Sequence, residues 1–161
     1  MAKSCRAFAA ADVVLEFQRL RWEEFRRPFG LERGTELYEG EAEQAQYVGV
    51  FDGDADVPAA LCGALFLMDR GDGNCQLHQM CIRPENRRQG VGRLLIEGAV
   101  DAARARGFAT LWAFAQHDVY DFYARCGFTM LADDAPLPAG LSRQAGPVPH
   151  SYMSLALTTD E

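Results

Sequence analysis

The chain has 161 residues, with 48% apolar and 24% charged side chains and a net charge of −7. That length and balance predict one globular domain over residues 1–161, able to bury its own core without disulfide or metal staples. The acidic balance argues against general nucleic-acid binding, which rests on phosphate neutralisation by Lys and Arg.

Residues 11–27 read as a helix, with Val14, Phe17, Leu20 (or Arg21) and Phe25 at helical spacing, Asp12 as its cap and Pro28 with Gly30 as its stop. The stretch 31–44 carries Glu32, Glu36, Glu39, Glu41 and Glu43 with little apolar periodicity and reads as a loop or a frayed helix with a solvated acidic face. Three strands follow, QYVGVF (46–51), PAALCGALFLM (58–68) and CQLHQMCI (75–82), separated by turn-rich DGDAD and DRGDGN. Run 58–68 is apolar throughout, so as a strand it is buried on both faces. A second helix spans Gly90 to about Arg106, with Val91, Leu94, Leu95, Ala99, Ala102 and Ala103 in one stripe and Gly107 as its end. FATLWAFA (108–115) is a central strand. Asp118 opens a short helix in which Val119, Phe122, Tyr123 and Cys126 share a face, and Gly127 closes it. Residues 133–149 are a Pro- and Gly-rich loop, and HSYMSLAL (150–157) is a last strand. The whole is an α/β (α+β) arrangement, a mixed sheet with helices on its faces.

The five cysteines are odd in number and scattered, which predicts free thiols in a reducing compartment, hence the cytoplasm. No apolar run approaches membrane-spanning length. The Asp spacing of DGDAD lacks the glycine and glutamate of a calcium loop, and Cys75 with His78 lacks a second ligand pair, so no metal site is expected.

Arg83, Arg87, Arg88 and Arg93 surround Gly90 and Gly92 where the second helix begins. A helix start has unpaired N–H groups and partial positive charge, and glycine lets the backbone approach a bulky anion. The expected ligand is a phosphate or pyrophosphate. The Walker pattern is absent, and a dinucleotide fingerprint fails because Leu95 stands where its third glycine belongs.

The segment IRPENRRQGVGRLL resembles the acetyl-CoA loop of the GNAT N-acetyltransferases, whose [QR]-x-x-G-x-[GA] pattern falls on Arg87-Arg88-Gln89-Gly90-Val91-Gly92. AQHDVYDFYARCGF is similar to a second block of that family. Phe122, Tyr123, Gly127 and Phe128 match it, while Gln116 replaces the usual Asn and Val119 the usual Ala. LRWEEFRRPFG and PVPHSYMSL resemble a bacterial branch of the family.

The resemblance implies a mostly antiparallel mixed sheet flanked by helices and splayed between its fourth and fifth strands, with the pantetheine arm of acetyl-CoA in the gap. It implies that Met80, Cys81 and Ile82 pair with the pantetheine amides and that Arg88 to Arg93 hold the pyrophosphate, with Arg87 completing the loop. Gln116 would contact the arm near its thiol, and Tyr123 would be the general acid. Many members carry a basic Glu on the fourth strand; Gln79 stands there and cannot take a proton. His78, on the opposite strand face from Gln79, His117 and His150 are the candidate bases, beside a water chain or an acceptor that arrives neutral. The implied activity is direct acetyl transfer to a small-molecule or peptide amine, without metal, nucleic acid or membrane; a homodimer stays open. The alternative is a non-catalytic acyl-CoA sensor. Cys81 as a covalent acetyl carrier is weighed against core packing. Glu36, Glu39 and Glu41 suggest a cationic acceptor.

Overall fold

The computed structural model describes residues 2–142 and 149–157. Seven strands form one sheet: β1 (Lys3–Phe8), β2 (Gln46–Asp52), β3 (Leu61–Asp69), β4 (Asn74–Ile82), β5 (Thr110–Gln116), β6 (Thr129–Met130) and β7 (His150–Ala156). Their spatial order is β1-β2-β3-β4-β5-β7-β6, and every neighbouring pair is antiparallel except β4 and β5. The helices are α1 (Ala11–Phe25), α2 (Glu41–Gln44), α3 (Val91–Ala105) and α4 (Tyr120–Arg125). The crossover from β4 to β5 runs through α3, as a parallel pair requires.

Strand β1 is an addition to the sequence reading. Only Phe8 of it is buried, so its pattern gives little periodic signal, yet it pairs with β2 from Lys3↔Asp52 to Phe8↔Tyr47. It makes CQLHQMCI the fourth strand.

Each face of the sheet has its own core. On one, α3 lays Val91, Leu95, Ile96, Ala99 and Ala103 against Val48, Val50, Leu65, Leu67 and Leu111. On the other, α1 lays Val13, Phe17 and Leu20 against Phe8, Phe51, Phe66 and Met68. Strand β3 is buried on both faces. Asp12 does not cap α1; Ala10 is the capping residue, and Asp12 accepts from the Val13 amide inside the first turn. Asp118 likewise caps nothing, since His117–Val119 form a 3-10 turn before α4. Loop residues 143–148 lie outside the described residues. No helix among the described residues is long and apolar enough to cross a membrane.

Candidate functional site

Strands β4 and β5 pair only from Asn74↔Thr110 to Leu77↔Ala113. Beyond that point β4 runs on to Ile82 and β5 to Gln116, with no pairing between them. A cleft therefore opens in the middle of the sheet, with an unpaired backbone edge on β4. The cause lies in β4 itself. Its register to β3 jumps from Phe66↔His78 to Ala64↔Cys81, so Gln79 and Met80 face the single Leu65. Gln79 sits at φ +53°, left-handed backbone that non-glycine residues rarely adopt. Such a bulge bends the strand and re-aims its side chains.

The bulge alters the expected geometry. Simple alternation would set Gln79 and His78 on opposite faces. Instead Gln79 Nε2 donates to the Tyr38 hydroxyl at 2.9 Å, and the Tyr38 ring lies 4.8 Å from the His78 ring. Both side chains meet Tyr38. Past the bulge, Cys81 packs into the α1 core, while Met80 and Ile82 pack against the α3 core. Burial pushes the Cys81 thiol up to about 12, which suits packing and opposes a nucleophilic thiolate.

The start of α3 stands at the end of this cleft. No side chain caps the helix, and its first bond from this end is the Leu94 amide to the Gly90 carbonyl at 3.1 Å. The amides of Val91, Gly92 and Arg93 are left for a ligand. Arg88 at φ +61° and Gly90 at φ +79° curl the preceding backbone into the kind of concavity that gathers N–H groups around an anion. The two glycines differ in role. A Cβ on Gly90 would meet nothing, so its positive φ is the constraint; a Cβ on Gly92 would lie 3.1 Å from the Phe122 ring, so Gly92 serves helix packing.

The arginine cluster does not act as one group. Arg83 turns back to the carbonyls of Leu61 and Pro58 and ties the end of β4 to the turn before β3. Arg87 pairs with Glu24 of α1 at 2.7 Å. Arg93 lines a groove of about 510 Å³ with Arg125 and Cys126 between α3 and α4. Arg88 and Gln89 are exposed beside the helix start.

Tyr123 is buried among Phe122, Phe128 and the α3 core. Burial raises its phenol above the ordinary tyrosine value, which keeps the proton on. Gln116 ends β5, directly across from His150 at the start of β7. The His150 ring stacks on Phe114 at 4.9 Å, and His117 packs against Tyr120. His78 is buried, and its Nε2 lies 2.8 Å from Arg70 Nη2. Arginine only donates, so that nitrogen accepts and the ring is neutral. Burial first, then the charges of Arg70 and Arg21, lowers its pKa to about 3. With its acceptor nitrogen occupied, His78 is a poor base.

The acidic segment 31–44 departs most from expectation. Glu41 is buried and receives two bonds of 2.7 Å from the fully buried Arg21, one from the Tyr47 hydroxyl and one from the Tyr38 amide. Glu36 is buried too; its carboxylate accepts the Gly34 amide and its carbonyl accepts from Arg21. Glu32, Glu39 and Glu43 are exposed, while Glu36 and Glu41 thus anchor the loop to α1. The loop they hold delivers Tyr38 to Gln79 and His78.

Known proteins bear on this geometry. The sequence model of the Acetyltransferase (GNAT) family matches residues 14–128. A candidate N-acetyltransferase from Lactobacillus plantarum superposes with a TM-score of 0.80 at 21% identity, over 98% of this chain and 100% of that one. An acetyltransferase of the GNAT family from Staphylococcus aureus gives 0.77 at 12% identity, over 98% and 100%. An acetyltransferase from Bacillus subtilis, solved in complex with CoA, gives 0.67 at 14% identity, over 98% and 100%.

Proposed function

The chain belongs to the GNAT acetyltransferase family, whose members move acyl groups from CoA, and from that premise we propose that it is a cytoplasmic N-acetyltransferase acting by direct transfer to a primary amine. The observation that carries this reading is the unpaired edge of β4 beyond Leu77, running from the bulge at Gln79 towards the uncapped start of α3.

Acetyl-CoA is the cosubstrate. In this reading the backbone of Met80, Cys81 and Ile82 pairs with its pantetheine amides as an added strand would. The amides of Arg88 to Arg93 hold the pyrophosphate, with Arg88 supplying side-chain charge. Gln116 contacts the arm where β5 ends. The amine nitrogen attacks the thioester carbonyl, the C–S bond breaks, and Tyr123 gives its proton to the departing thiolate. Gln79 cannot take the amine's proton and His78 is occupied. The acceptor therefore arrives neutral and sheds its proton after attack, to His150 or to water.

Isothermal titration with acetyl-CoA, using 3′-dephospho-CoA and ATP as controls, tests the cosubstrate. Free thiol release across an amine panel tests the transfer. Binding with thiol release to at least one amine is expected. A folded protein that does not bind acetyl-CoA would remove the transferase reading. Binding without release to any amine would favour an acyl-CoA sensor, the role to which Gln79 in place of a basic Glu would be suited.

A further inference from the structure

Above the point where β4 and β5 part, on the α1 face, lies a cation without a counter-ion. Arg70 sits in the turn between β3 and β4, and its side chain reaches over β4. Nε donates to Gln76 Oε1 at 2.9 Å, and Nη2 meets His78 Nε2 at 2.8 Å. These partners straddle Leu77, the last β4 residue paired with β5. The guanidinium is thus held at the apex of the cleft. Both partners are buried and both are neutral.

Among the described residues, every ion pair joins other groups. The adjacent Asp69 spends its carboxylate on the Gly71 amide. Arg70 itself is half-buried, whereas Arg21, the fully buried arginine on this face, is supplied with Glu41 at 2.7 Å. Arg70 has two dipoles to fix its direction and no charge to neutralise it. Guanidinium cannot escape by losing a proton.

The bonds used are on one edge of the guanidinium, Nε with Nη2. Nη1 makes no hydrogen bond among the described residues and Nη2 has a second N–H, so two parallel bonds to an oxyanion can still form. Tyr38 lies 4.8 Å from the His78 ring on β4, and on β5 Phe114 packs 4.7 Å from Tyr152 and 4.9 Å from His150. Gly140, beyond β6, packs against the Arg70 carbonyl with no room for a Cβ, so the backbone that carries the arginine is braced there.

We propose that Arg70 is the oxyanion anchor of the acceptor site, so that the acceptor is a primary amine carrying a carboxylate or a phosphate. This rests on the transferase reading above, with the thioester lying where β4 and β5 part. The charge attracts an acceptor of opposite sign to the one that the glutamates of 31–44 suggested.

The test uses matched amines: an amino acid against its carboxamide, and an aminoalkyl phosphate against the amino alcohol. Wild type, Arg70→Gln and Arg70→Lys are compared. Wild type should prefer one oxyanion-bearing member by about tenfold or more in kcat/KM, and which member it prefers separates carboxylate from phosphate. Arg70→Gln should erase that preference through acceptor KM with acetyl-CoA affinity retained, and Arg70→Lys should restore part of it. Equal use of charged and neutral members by wild type, or a preference that survives Arg70→Gln, would overturn the proposal. The same amines are also titrated into CoA-saturated protein. Absence of turnover with every amine would sink the transferase reading alone, because the titration still decides whether the oxyanion binds through Arg70.

Discussion

The two faces of the sheet are built on different principles. The α3 face is closed by aliphatic side chains, Val48, Leu65, Leu95, Ile96 and Leu111 among them, with Tyr123 buried in their midst. The α1 face is aromatic and charged: Phe17, Phe66, Tyr38 and Tyr47 surround Arg21 with Glu41, then His78, Gln79 and Arg70. Apolar packing is tolerant of shape and indifferent to direction, so the first face holds the sheet together. Hydrogen-bonded charges fix direction, so the second face aims groups at the cleft. The sharpest way to break this division is to find chemistry on the apolar face or dispensable charges on the polar one.

Tyr123 carries the largest expected effect, because it is the one hydroxyl that the apolar face is asked to contribute to chemistry. Tyr123→Phe keeps the ring packing against Phe122 and Phe128 and removes only the proton donor. Turnover should fall by about 10²–10⁴-fold in pre-steady-state thiol release, with acetyl-CoA binding intact. Unchanged turnover would return Tyr123 to the core.

On the polar face, Glu41→Gln should destabilise the fold by about 3–5 kcal/mol, because Arg21 is left buried without its partner. Denaturant unfolding reads this directly. The sign with pH follows from the carboxyl. Burial pushes it up, but Arg21, Tyr47 and the Tyr38 amide together outweigh burial and hold it below its ordinary value. The stabilisation is therefore complete above the unfolded value of about 4.3 and is lost as pH falls through the lower folded one. Glu41→Gln should flatten the acid limb of the stability curve in that window. An undiminished acid limb would make the pair ornamental and blur the contrast between the faces.

The contrast also explains what could be read from sequence. The α3 face was legible because its residues repeat at helical and strand spacing: the stripe from Val91 to Ala103 and the block ending in Gly127-Phe128 lie where their patterns put them, and of the run 58–68 only Pro58–Ala60 turn out of the strand, as a 3-10 turn. The cleft was legible only through resemblance, since nothing in CQLHQMCI announces that Gln79 takes a positive φ and shifts the register. The polar face was misread. Arg21 shared a helix face with apolar neighbours, which was its only hint of burial, and its partner lies 20 residues away in a stretch rich enough in glutamate to pass for surface. Long-range charge pairing leaves no periodic trace. Strand β1 escaped because an edge strand with one buried residue has no pattern to show.

Gly92 tests the apolar side more gently. If its role is packing against Phe122, then Gly92→Val should cost about 1–3 kcal/mol by forcing α3 and α4 apart, and should slow turnover by moving Tyr123. Gly90→Ala meets open space and only the strain of φ +79°, so it should cost about 1 kcal/mol and act mainly on acetyl-CoA affinity. Unfolding curves and titrations on the two variants separate the roles, and equal losses of affinity without loss of stability would mean that both glycines serve the anion.

The smallest expected effect concerns the arginines at the cleft mouth. Arg87 reaches Glu24 across the surface, with both side chains more than 40% exposed. Exposed pairs of this kind contribute little and are screened by salt. Arg87→Ala should therefore leave the melting temperature unchanged and acetyl-CoA affinity within about twofold, since that guanidinium is already engaged. Arg88→Ala removes a charge that has no partner among the described residues and should weaken acetyl-CoA by about tenfold at low salt. Titrating both variants at two salt concentrations distinguishes them, because a phosphate contact loses its advantage as salt rises. If the two variants lose affinity equally, the Glu24 pair opens on binding and the cluster acts as the single anion site that its spacing suggested; if only Arg88 matters, one exposed arginine and the free amides of α3 hold the phosphates while Arg87 belongs to α1.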